Sequence, residues 1–384
     1  MSKNIQTKSV KNCRYLIMAG GTGGHIFPAM AVAKELLACG SHVSWLGTEH
    51  GMEQGIVAAE NIPLHTIAMK GFRGKGGLQK LLTPLLLCLS VFQAMKVIRQ
   101  TRSSVIVGFG GFVAAPGGIA ARLLGKKLII HEQNAVAGST NRLLNKLAHQ
   151  TLEAFPKTLP NASHVGNPIR ANIVNLINEE IDKEVVSPIS SLNIMVMGGS
   201  LGAKAINDIA PKAFSYLLAE TSKINTSLVV NVWHQTGKGK KDAVTTEYET
   251  LQMSARVEEF IDDVAAAYAW ADIIICRAGA LTVSEITVAS VPAVFIPLPS
   301  AIDNHQYHNA QWLVENGAAC LIEQKQLTAE SLSQLLLKLA SNNDQLNHMR
   351  EQLKKVALPN STKKVADYCQ ALCTPSIKEV NHAV

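Results

Sequence analysis

A dense glycine cluster ending in a histidine, GGTGGH at residues 20–25, is the stretch of this chain best suited to chemistry. Glycines let backbone N–H groups approach a ligand closely, and the macrodipole at the start of a helix attracts negative charge. The expected guest is therefore a phosphate group or a sugar hydroxyl. The alternative is a tight turn between a strand and a helix that binds nothing.

His25 closes this cluster and is the predicted general base. A hydroxyl that attacks a sugar needs a group to take its proton. The dipole at a helix N-terminus disfavours an imidazolium, so the ring should stay neutral and able to accept that proton. Glu132 is the competing base, and a histidine that merely caps its helix is the structural alternative.

Glu132 belongs to the polar run HEQN at residues 131–134, which follows an apolar strand at residues 128–130. In open parallel sheets, ligands bind beyond the carboxyl ends of the strands. We therefore expect the four polar side chains of this run to belong to the site, whereas on a surface loop they would be unremarkable.

Two glycine-containing turns in the second half, GGSLG at residues 198–202 and RAGALTVSE at residues 277–285, each precede a predicted helix. The chain has no Asp-x-Asp pair, with which some enzymes hold a metal, so no metal or other cofactor is expected. Helix N-termini and Arg170 are then the groups that can stabilise a departing nucleoside diphosphate. Glu285 can accept hydrogen bonds from a ribose diol, unless it serves only to stabilise its helix.

A nicotinamide dinucleotide is disfavoured as the ligand of these turns. Its fingerprint needs a third glycine where this chain has Ile26, and an acidic residue for the adenosine ribose where the second strand ends in Gly47 and Thr48. A nucleotide-sugar donor fits the same turns better.

The elements that carry these residues form the same series twice. A strand at residues 15–19 passes through the first glycine cluster into a helix at residues 26–39, and residues 192–218 repeat this order. The series is typical of parallel α/β domains, and 384 residues exceed the usual size of a single core. We predict two Rossmann-like domains that face each other across a cleft, with a polar linker at residues 174–191.

The net charge of +7 is divided unevenly along the chain. Residues 1–170 hold 19 Lys and Arg against six Glu, a charge of +13, whereas residues 171–384 hold 17 against 23 acidic residues, a charge of −6. A basic domain suits an anionic membrane surface or a nucleic acid. Because only 5% of the residues are aromatic, we expect a membrane and no nucleic acid as partner.

The loop at residues 69–77 is basic and has Phe72 near its tip, so it is predicted to lie in a membrane interface or to act as a lid. The apolar run that follows is short and contains Pro84, so no segment is expected to cross a bilayer. Seven cysteines without a Cys-x-x-Cys pair indicate reduced thiols in a cytosol, and the polar first fourteen residues give no sign of export.

Five motifs occur in order and at familiar spacing: GGTGGHIFP from residue 20, HEQN from 131, GNPIR from 166, GGSLGA from 198 and RAGALTVSE from 277. On these motifs the chain closely resembles the MurG family of bacterial peptidoglycan glycosyltransferases, over roughly residues 14–350. The resemblance implies the GT-B fold, with an acceptor and membrane domain at residues 1–170 and a donor domain at 171–359. The last helix, within residues 360–384, would pack back on the first domain.

The resemblance also implies inverting transfer of N-acetylglucosamine from UDP-N-acetylglucosamine (UDP-GlcNAc) to lipid I. The acceptor would be the C4 hydroxyl of the MurNAc-pentapeptide on undecaprenyl pyrophosphate, and the product lipid II. The enzyme would be peripheral, on the cytoplasmic face of the inner membrane. The Ile261 backbone would face the uracil, Glu285 the ribose and Gln306 the sugar. The implied substrate contacts are Thr22, Gly23, Gly24, Asn134, Arg170, Ser200, Ile261, Ala280, Leu281, Thr282, Val283, Ser284, Glu285 and Gln306.

Three other functions share these features. A UDP-sugar epimerase or another GT-B lipid glycosyltransferase would use the same architecture. A membrane-bound sensor would bind the nucleotide sugar without turnover. Release of UDP with and without lipid I distinguishes lipid I transfer from these alternatives.

Overall fold

The computed structural model of this chain describes residues 13–69, 77–177, 191–199, 201–223 and 228–373, with side chains omitted at 77–83 and 343. The predicted donor contact Ser200 and most of the predicted membrane loop, residues 70–76, lie outside the described residues. The chain divides into two compact units, unit 1 (Met1–Arg170 and Asn360–Val384) and unit 2 (Ala171–Pro359).

Unit 1 alternates strands and helices along most of its length. Its elements before the chain enters unit 2 are β1 (Arg14–Met18), α1 (Gly23–Ala38), β2 (His42–Thr48), α2 (Glu53–Ala59), β3 (Leu64–Ile67), α3 (Gly77–Thr101), β4 (Val105–Gly108), α4 (Ala114–Leu123), β5 (Lys127–Glu132), α5 (Ser139–Asn145), β6 (Gln150–Glu153) and β7 (Ser163–His164). The strands form one sheet in the order β3-β2-β1-β4-β5-β6-β7, and every pair is parallel.

The interior strand β1 shows why an unbroken apolar run becomes a strand here. Tyr15 and Ile17 pack in the layer that contains α1, whereas Leu16 and Met18 pack in the layer that contains α3 and α4. Because neighbouring side chains of a strand point to opposite faces, a sheet covered on both faces needs apolar residues at consecutive positions. The glycine turn that follows β1 is therefore held at the carboxyl edge of a rigid sheet.

Unit 2 repeats this architecture with six strands. Its elements are α6 (Ala171–Asn175), β8 (Ser191–Met197), α7 (Lys204–Lys223), β9 (Val229–Gln235), α8 (Lys241–Thr250), β10 (Arg256–Glu258), α9 (Val264–Trp270), β11 (Ile273–Cys276), α10 (Ala280–Ala289), β12 (Ala293–Phe295), α11 (His305–Glu315), β13 (Ala319–Leu321), α12 (Ala329–Ala340) and α13 (Asn343–Val356), with 3₁₀ turns at Ile302–Asn304 and Gln324–Gln326. The sheet is parallel, in the order β10-β9-β8-β11-β12-β13. The predicted class, two parallel α/β domains, is confirmed.

The final helix, α14 (Ser361–Cys373), belongs to unit 1. Val365, Ala366 and Cys369 are buried in the layer that contains α1, and Thr362 Oγ1 donates to the Ile169 carbonyl at 3.2 Å.

Cys13, just before β1, forms a disulfide with Cys373 at the end of α14, with 6.2 Å between their Cα atoms. The prediction that the cysteines are reduced is therefore wrong for this pair. The reason is that the packing of α14 brings together two residues that lie 360 positions apart in the sequence. The remaining cysteines, Cys39, Cys88, Cys276, Cys320 and Cys369, are free thiols.

Element boundaries near the site differ from the prediction by a few residues. Strand β5, predicted at residues 128–130, spans Lys127–Glu132 and so includes His131 and Glu132. Helix α1 begins at Gly23, inside the glycine cluster, where we predicted a start at Ile26. Strand β10 ends at Glu258, so Ile261, the predicted uracil contact, lies in the connection to α9. As for the bilayer, none of the helices in the described ranges is both long and apolar enough to cross it.

Candidate active site

The first glycine turn presents the N-terminus of α1. Thr22 is the N-cap residue, and Gly23 and Gly24 are the first two helical residues. The Thr22 carbonyl accepts from the backbone N–H groups of His25 and Ile26 at 3.1 and 3.2 Å. Thr22 is exposed and both glycines are half-buried, so the start of this helix faces solvent where an anion or a hydroxyl can approach.

The His25 side chain lies between this turn and the glycine turn after β4. Its Nδ1 is 3.4 Å from Thr22 Oγ1, and its ring is half-buried. A Cβ at Gly110 would come within 3.2 Å of the ring atoms Cδ2 and Nε2, so a glycine there leaves space for the imidazole. The turn after β4 therefore forms one wall of the space that the His25 imidazole occupies.

The two glycine turns of unit 1 also meet backbone to backbone. Gly111 has a φ of +79°, and a Cβ at this position would lie 2.2 Å from the Gly20 carbonyl oxygen. No side chain fits in that space, and the left-handed backbone itself favours glycine. A glycine at position 111 is therefore needed for the first glycine turn to pack against this backbone.

Glu132, the competing base, is almost fully buried, with 2% of its surface exposed. Its carboxylate accepts from the Asn134 backbone N–H at 3.0 Å, the Gly138 N–H at 3.1 Å and Asn141 Nδ2 at 2.9 Å. A carboxylate bonded in this way holds the loop between β5 and α5 in place. Its geometry suits positioning better than proton transfer.

His131 and Gln133 of the same polar run are buried as well. The His131 Nε2–H donates to the Gly166 carbonyl at 2.9 Å, and its Nδ1 accepts from Gln133 at 3.2 Å. Burial lowers the pKa of His131 to about 4, so this ring is neutral at ordinary pH. Of the four polar residues after the apolar strand, Asn134 is the one that is half-exposed.

Arg170, the last residue of the first segment of unit 1, ends the motif GNPIR and is half-buried. Its guanidinium carbon lies 5.9 Å from the centre of the Phe27 ring, which is on α1. This places the cation near the helix that begins with the first glycine turn. The distance is at the outer limit for an attraction between a cation and an aromatic ring.

In unit 2, the glycine turn after β8 is held by buried polar side chains. Gln235 Nε2 donates to the Gly199 carbonyl at 3.0 Å. Gly202 has a φ of +68°, and a Cβ there would lie 2.0 Å from the Thr236 carbonyl oxygen. That carbonyl accepts from Asn207 Nδ2 at 3.0 Å. Sequence reasoning missed Gln235 and Asn207 because nothing in the glycine motif itself points to them.

Helix α10 offers the second predicted anion site of unit 2. Gly279 is its N-cap, so no side chain competes for the amides of the first turn. Leu281, Thr282 and Ser284 are half-buried, whereas Ala280 and Val283 are buried. Ser284 Oγ donates to the Ala280 carbonyl of its own helix at 2.9 Å.

Glu285, the predicted ribose ligand, lies in the second turn of α10 and is 2% exposed. The Tyr268 hydroxyl donates to Glu285 Oε2 at 3.2 Å. Two residues that were not among the predicted contacts hold the segment that leads into α10 in place. Arg277 donates to the carbonyls of Ile296 and Pro297 at 2.9 and 3.2 Å, and Asn309 Nδ2 donates to the Ala278 carbonyl at 3.1 Å.

The predicted uracil and sugar contacts lie in two other loops of unit 2. The side chain of Ile261 is buried, and the preceding Phe260 is 58% exposed. An exposed aromatic ring next to a predicted base-binding backbone is suited to stacking on that base. Gln306 is half-buried and its Oε1 accepts from the Leu298 N–H at 3.0 Å, which leaves its amide nitrogen as the group that can donate to a sugar.

Models of glycosyltransferase family 28 match both units of this chain. The N-terminal domain model matches residues 15–153, and the C-terminal domain model matches residues 193–366. The chain belongs to glycosyltransferase family 28. Both predicted anion turns of unit 2, and the first glycine turn of unit 1, fall inside the matched spans of this family.

Two relatives of this chain carry the same name. The UDP-N-acetylglucosamine–N-acetylmuramyl-(pentapeptide) pyrophosphoryl-undecaprenol N-acetylglucosamine transferase of Cellvibrio japonicus is 46% identical over 365 residues, covering 94% of this chain and 98% of the relative. The enzyme of the same name from Pseudomonas aeruginosa is 44% identical over 359 residues, covering 92% and 97%.

A solved structure gives the same result for the fold. The crystal structure of Acinetobacter baumannii MurG aligns with a TM-score of 0.78 at 40% identity, covering 94% of this chain and 99% of that one. The resemblance to the MurG family and the GT-B fold, both predicted from the motifs, are confirmed for this family 28 member.

Proposed function

We propose that this chain transfers N-acetylglucosamine from UDP-GlcNAc to the C4 hydroxyl of the MurNAc-pentapeptide of lipid I and so produces lipid II. The observation that carries this proposal is the 46% identity, over 98% of its length, to a transferase whose name states this donor and this acceptor. Lipid II is a precursor of peptidoglycan, so the enzyme would serve cell wall biogenesis and, through it, cell shape and division.

In the proposed reaction, the acceptor hydroxyl attacks the anomeric carbon from the face opposite UDP, which inverts that centre. The new C–O bond forms as the bond to the UDP oxygen breaks, and the electron pair leaves with UDP. His25 takes the hydroxyl proton. Its ring is half-buried at a helix start, whereas the Glu132 carboxylate already accepts hydrogen bonds from Asn134, Gly138 and Asn141.

The departing diphosphate gains negative charge, which fixed dipoles and a cation would stabilise. In unit 2, the first-turn amides of α10 and the turn at residues 198–202 supply the dipoles. Each helix end contributes about 0.3–1 kcal/mol, and up to about 2 kcal/mol in a partly buried site. Arg170 supplies the cation, and Asn134 and residues 22–24 of unit 1 contact the reacting sugars.

The test is the release of UDP from UDP-GlcNAc by the purified protein, measured with and without lipid I. We expect release that requires lipid I and yields lipid II, and that EDTA leaves unchanged. Release without lipid I would favour an epimerase, and release with another lipid acceptor would favour a different lipid glycosyltransferase. Binding of the donor without release would favour a sensor.

We also propose that unit 1 binds the anionic cytoplasmic face of the inner membrane. Leu85, Leu89 and Phe92 on α3 are 61%, 51% and 69% exposed. Their spacing of four and three residues places them on one helix face, and the exposed Lys96 and Arg99 continue the same face. Apolar side chains next to cations suit an interface in which the chains enter the acyl region and the cations meet lipid phosphates.

Replacing Leu85, Leu89 and Phe92 together with serine should weaken binding to phosphatidylglycerol-containing vesicles at least about tenfold. Three buried apolar side chains contribute on the order of 3 kcal/mol or more, and a tenfold change needs about 1.4 kcal/mol. Cosedimentation with vesicles measures the effect, and replacement of the exposed Tyr216 of unit 2 with serine is the control. Unchanged sedimentation of the triple variant would remove α3 from the membrane contact.

A further inference from the structure

Glu53 is a fully buried carboxylate close to the first glycine turn. It is the first residue of α2 and has 0% of its surface exposed. It accepts from the Thr48 backbone N–H and from Thr48 Oγ1, both at 2.8 Å, and from the Gly21 N–H at 3.4 Å. One side chain thus joins the end of β2 to the turn that leads into α1.

Three glycines from separate segments leave the space that this side chain occupies. A Cβ at Gly20 would lie 3.0 Å from Glu53 Oε1, and one at Gly47 would lie 2.9 Å from Glu53 Cγ. A Cβ at Gly51 would lie 2.1 Å from Oε2. A charged group is costly to bury unless it is hydrogen-bonded. A buried carboxylate for which three glycines leave space therefore indicates that this position needs a carboxylate.

The hydrogen bond from the Gly21 N–H suggests why a carboxylate is needed at this position: it restrains the first glycine turn. The turn at residues 20–24 contains four glycines and has little stiffness of its own, yet it sets where α1 begins and where His25 points. A base must be held within a fraction of an ångström of its working position, and residues that contact it from the protein side must hold it there.

We propose that Glu53 is a positioning residue for glycosyl transfer, which fixes the first glycine turn and, through it, the imidazole of His25. This inference rests on the proposed function, in which His25 is the base. Glu53 acts through the turn and the turn acts through His25, so loss of Glu53 lowers turnover more than donor affinity.

Two substitutions test this role in different ways. Glu53→Gln keeps the shape but turns an acceptor into an amide that cannot accept all three hydrogen bonds. Gly51→Ala keeps the charge and pushes the carboxylate from its place. The matched control is Gly55→Ala, two residues into α2, where a Cβ meets nothing within 4 Å.

We expect kcat to fall by about 10–100-fold in Glu53→Gln and in Gly51→Ala, with the KM for UDP-GlcNAc within about twofold of the wild type. Gly55→Ala should have wild-type kinetics. Circular dichroism and thermal unfolding show which variants are folded, and if Glu53→Gln does not fold, the milder Gly51→Ala decides. A kcat within twofold of wild type in a folded variant, or a matching rise in donor KM, would overturn the proposal.

The double variant Glu53→Gln/His25→Gln separates this inference from the proposed function. If Glu53 acts through His25, adding Glu53→Gln to His25→Gln should change the residual kcat by less than about twofold. Independent, multiplying effects would reject the positioning role while leaving His25 as the base. A single His25→Gln variant with near-normal kcat would instead reject the base assignment itself.

Discussion

Replacement of His25 with glutamine is expected to lower kcat by about 10²–10⁴-fold, the usual contribution of a general base. Glutamine retains an amide of similar size but cannot take the proton of the acceptor hydroxyl. Donor affinity should change little, because the predicted uridine contacts, Ile261 and Glu285, lie in unit 2 whereas His25 lies in unit 1. Initial rates of UDP release with saturating lipid I give kcat, and the donor dependence gives KM.

The pH dependence provides a second readout of the same substitution. A base must be unprotonated to work, so the wild-type rate should fall as the pH drops and the imidazole gains a proton. His25→Gln should lose that acidic limb along with most of its activity. If His25→Gln alters donor affinity alone and keeps the limb, then Glu132 or the substrate itself becomes the better base.

Glu132→Gln is the comparison variant for that result. The buried carboxylate accepts from two backbone N–H groups and from Asn141. The NH₂ group of a glutamine in its place would face some of these donors and could not accept from them. We expect a lower thermal unfolding temperature in this variant, since each lost hydrogen bond to a buried charged group costs about 1.5–3 kcal/mol. A stable Glu132→Gln protein without turnover would reverse the assignment.

The fold was predictable because its signals are local. The apolar residues of β1 occupy consecutive positions, and glycines follow at the point where the chain turns into α1. A parallel sheet covered on both faces dictates that pattern, so one sequence window contains the information. The same reasoning found β8 and its glycine turn in unit 2.

The supporting contacts were not predictable because they join distant segments. The partners Glu53 and Gly21 are 32 residues apart, and Cys13 and Cys373 are 360 residues apart. Nothing in the sequence around Glu53 distinguishes it from an ordinary acidic residue at a helix start. Gly47 and Gly51 are close to Glu53 in the sequence, but Gly20 joins them only when β1 and β2 pair in the sheet.

The polar run at the end of β5 shows a related limit. The rule that ligands bind beyond strand ends led us to expect all four side chains in the site, yet His131, Glu132 and Gln133 are buried. The last residues of a parallel strand still lie beneath the helices that cover the sheet, so polar groups there bond to neighbouring loops. The residue after them, Asn134, is the first to reach the surface in this run.

Replacement of Glu285 with alanine is expected to reduce kcat/KM for UDP-GlcNAc by about 10²–10⁴-fold. Two hydrogen bonds from a ribose diol to a carboxylate contribute about 1.5–3 kcal/mol each, so their loss together accounts for a change of this size. Transfer kinetics at varied donor concentration and calorimetric titration with UDP measure it. Near-normal values for both in a folded variant would reject Glu285 as the ribose ligand.

The burial of Glu285 calls for a control that separates ligand binding from packing. Tyr268→Phe removes the hydroxyl that donates to Glu285 Oε2 at 3.2 Å and keeps the carboxylate. If the carboxylate serves the ribose, Tyr268→Phe should retain UDP affinity within about fivefold, whereas Glu285→Ala should not. If both variants lose UDP affinity and thermal stability equally, the pair holds α10 against α9, and the ribose is bound elsewhere. Because the two side chains share one hydrogen bond, the difference between the variants isolates what the carboxylate does for the ligand.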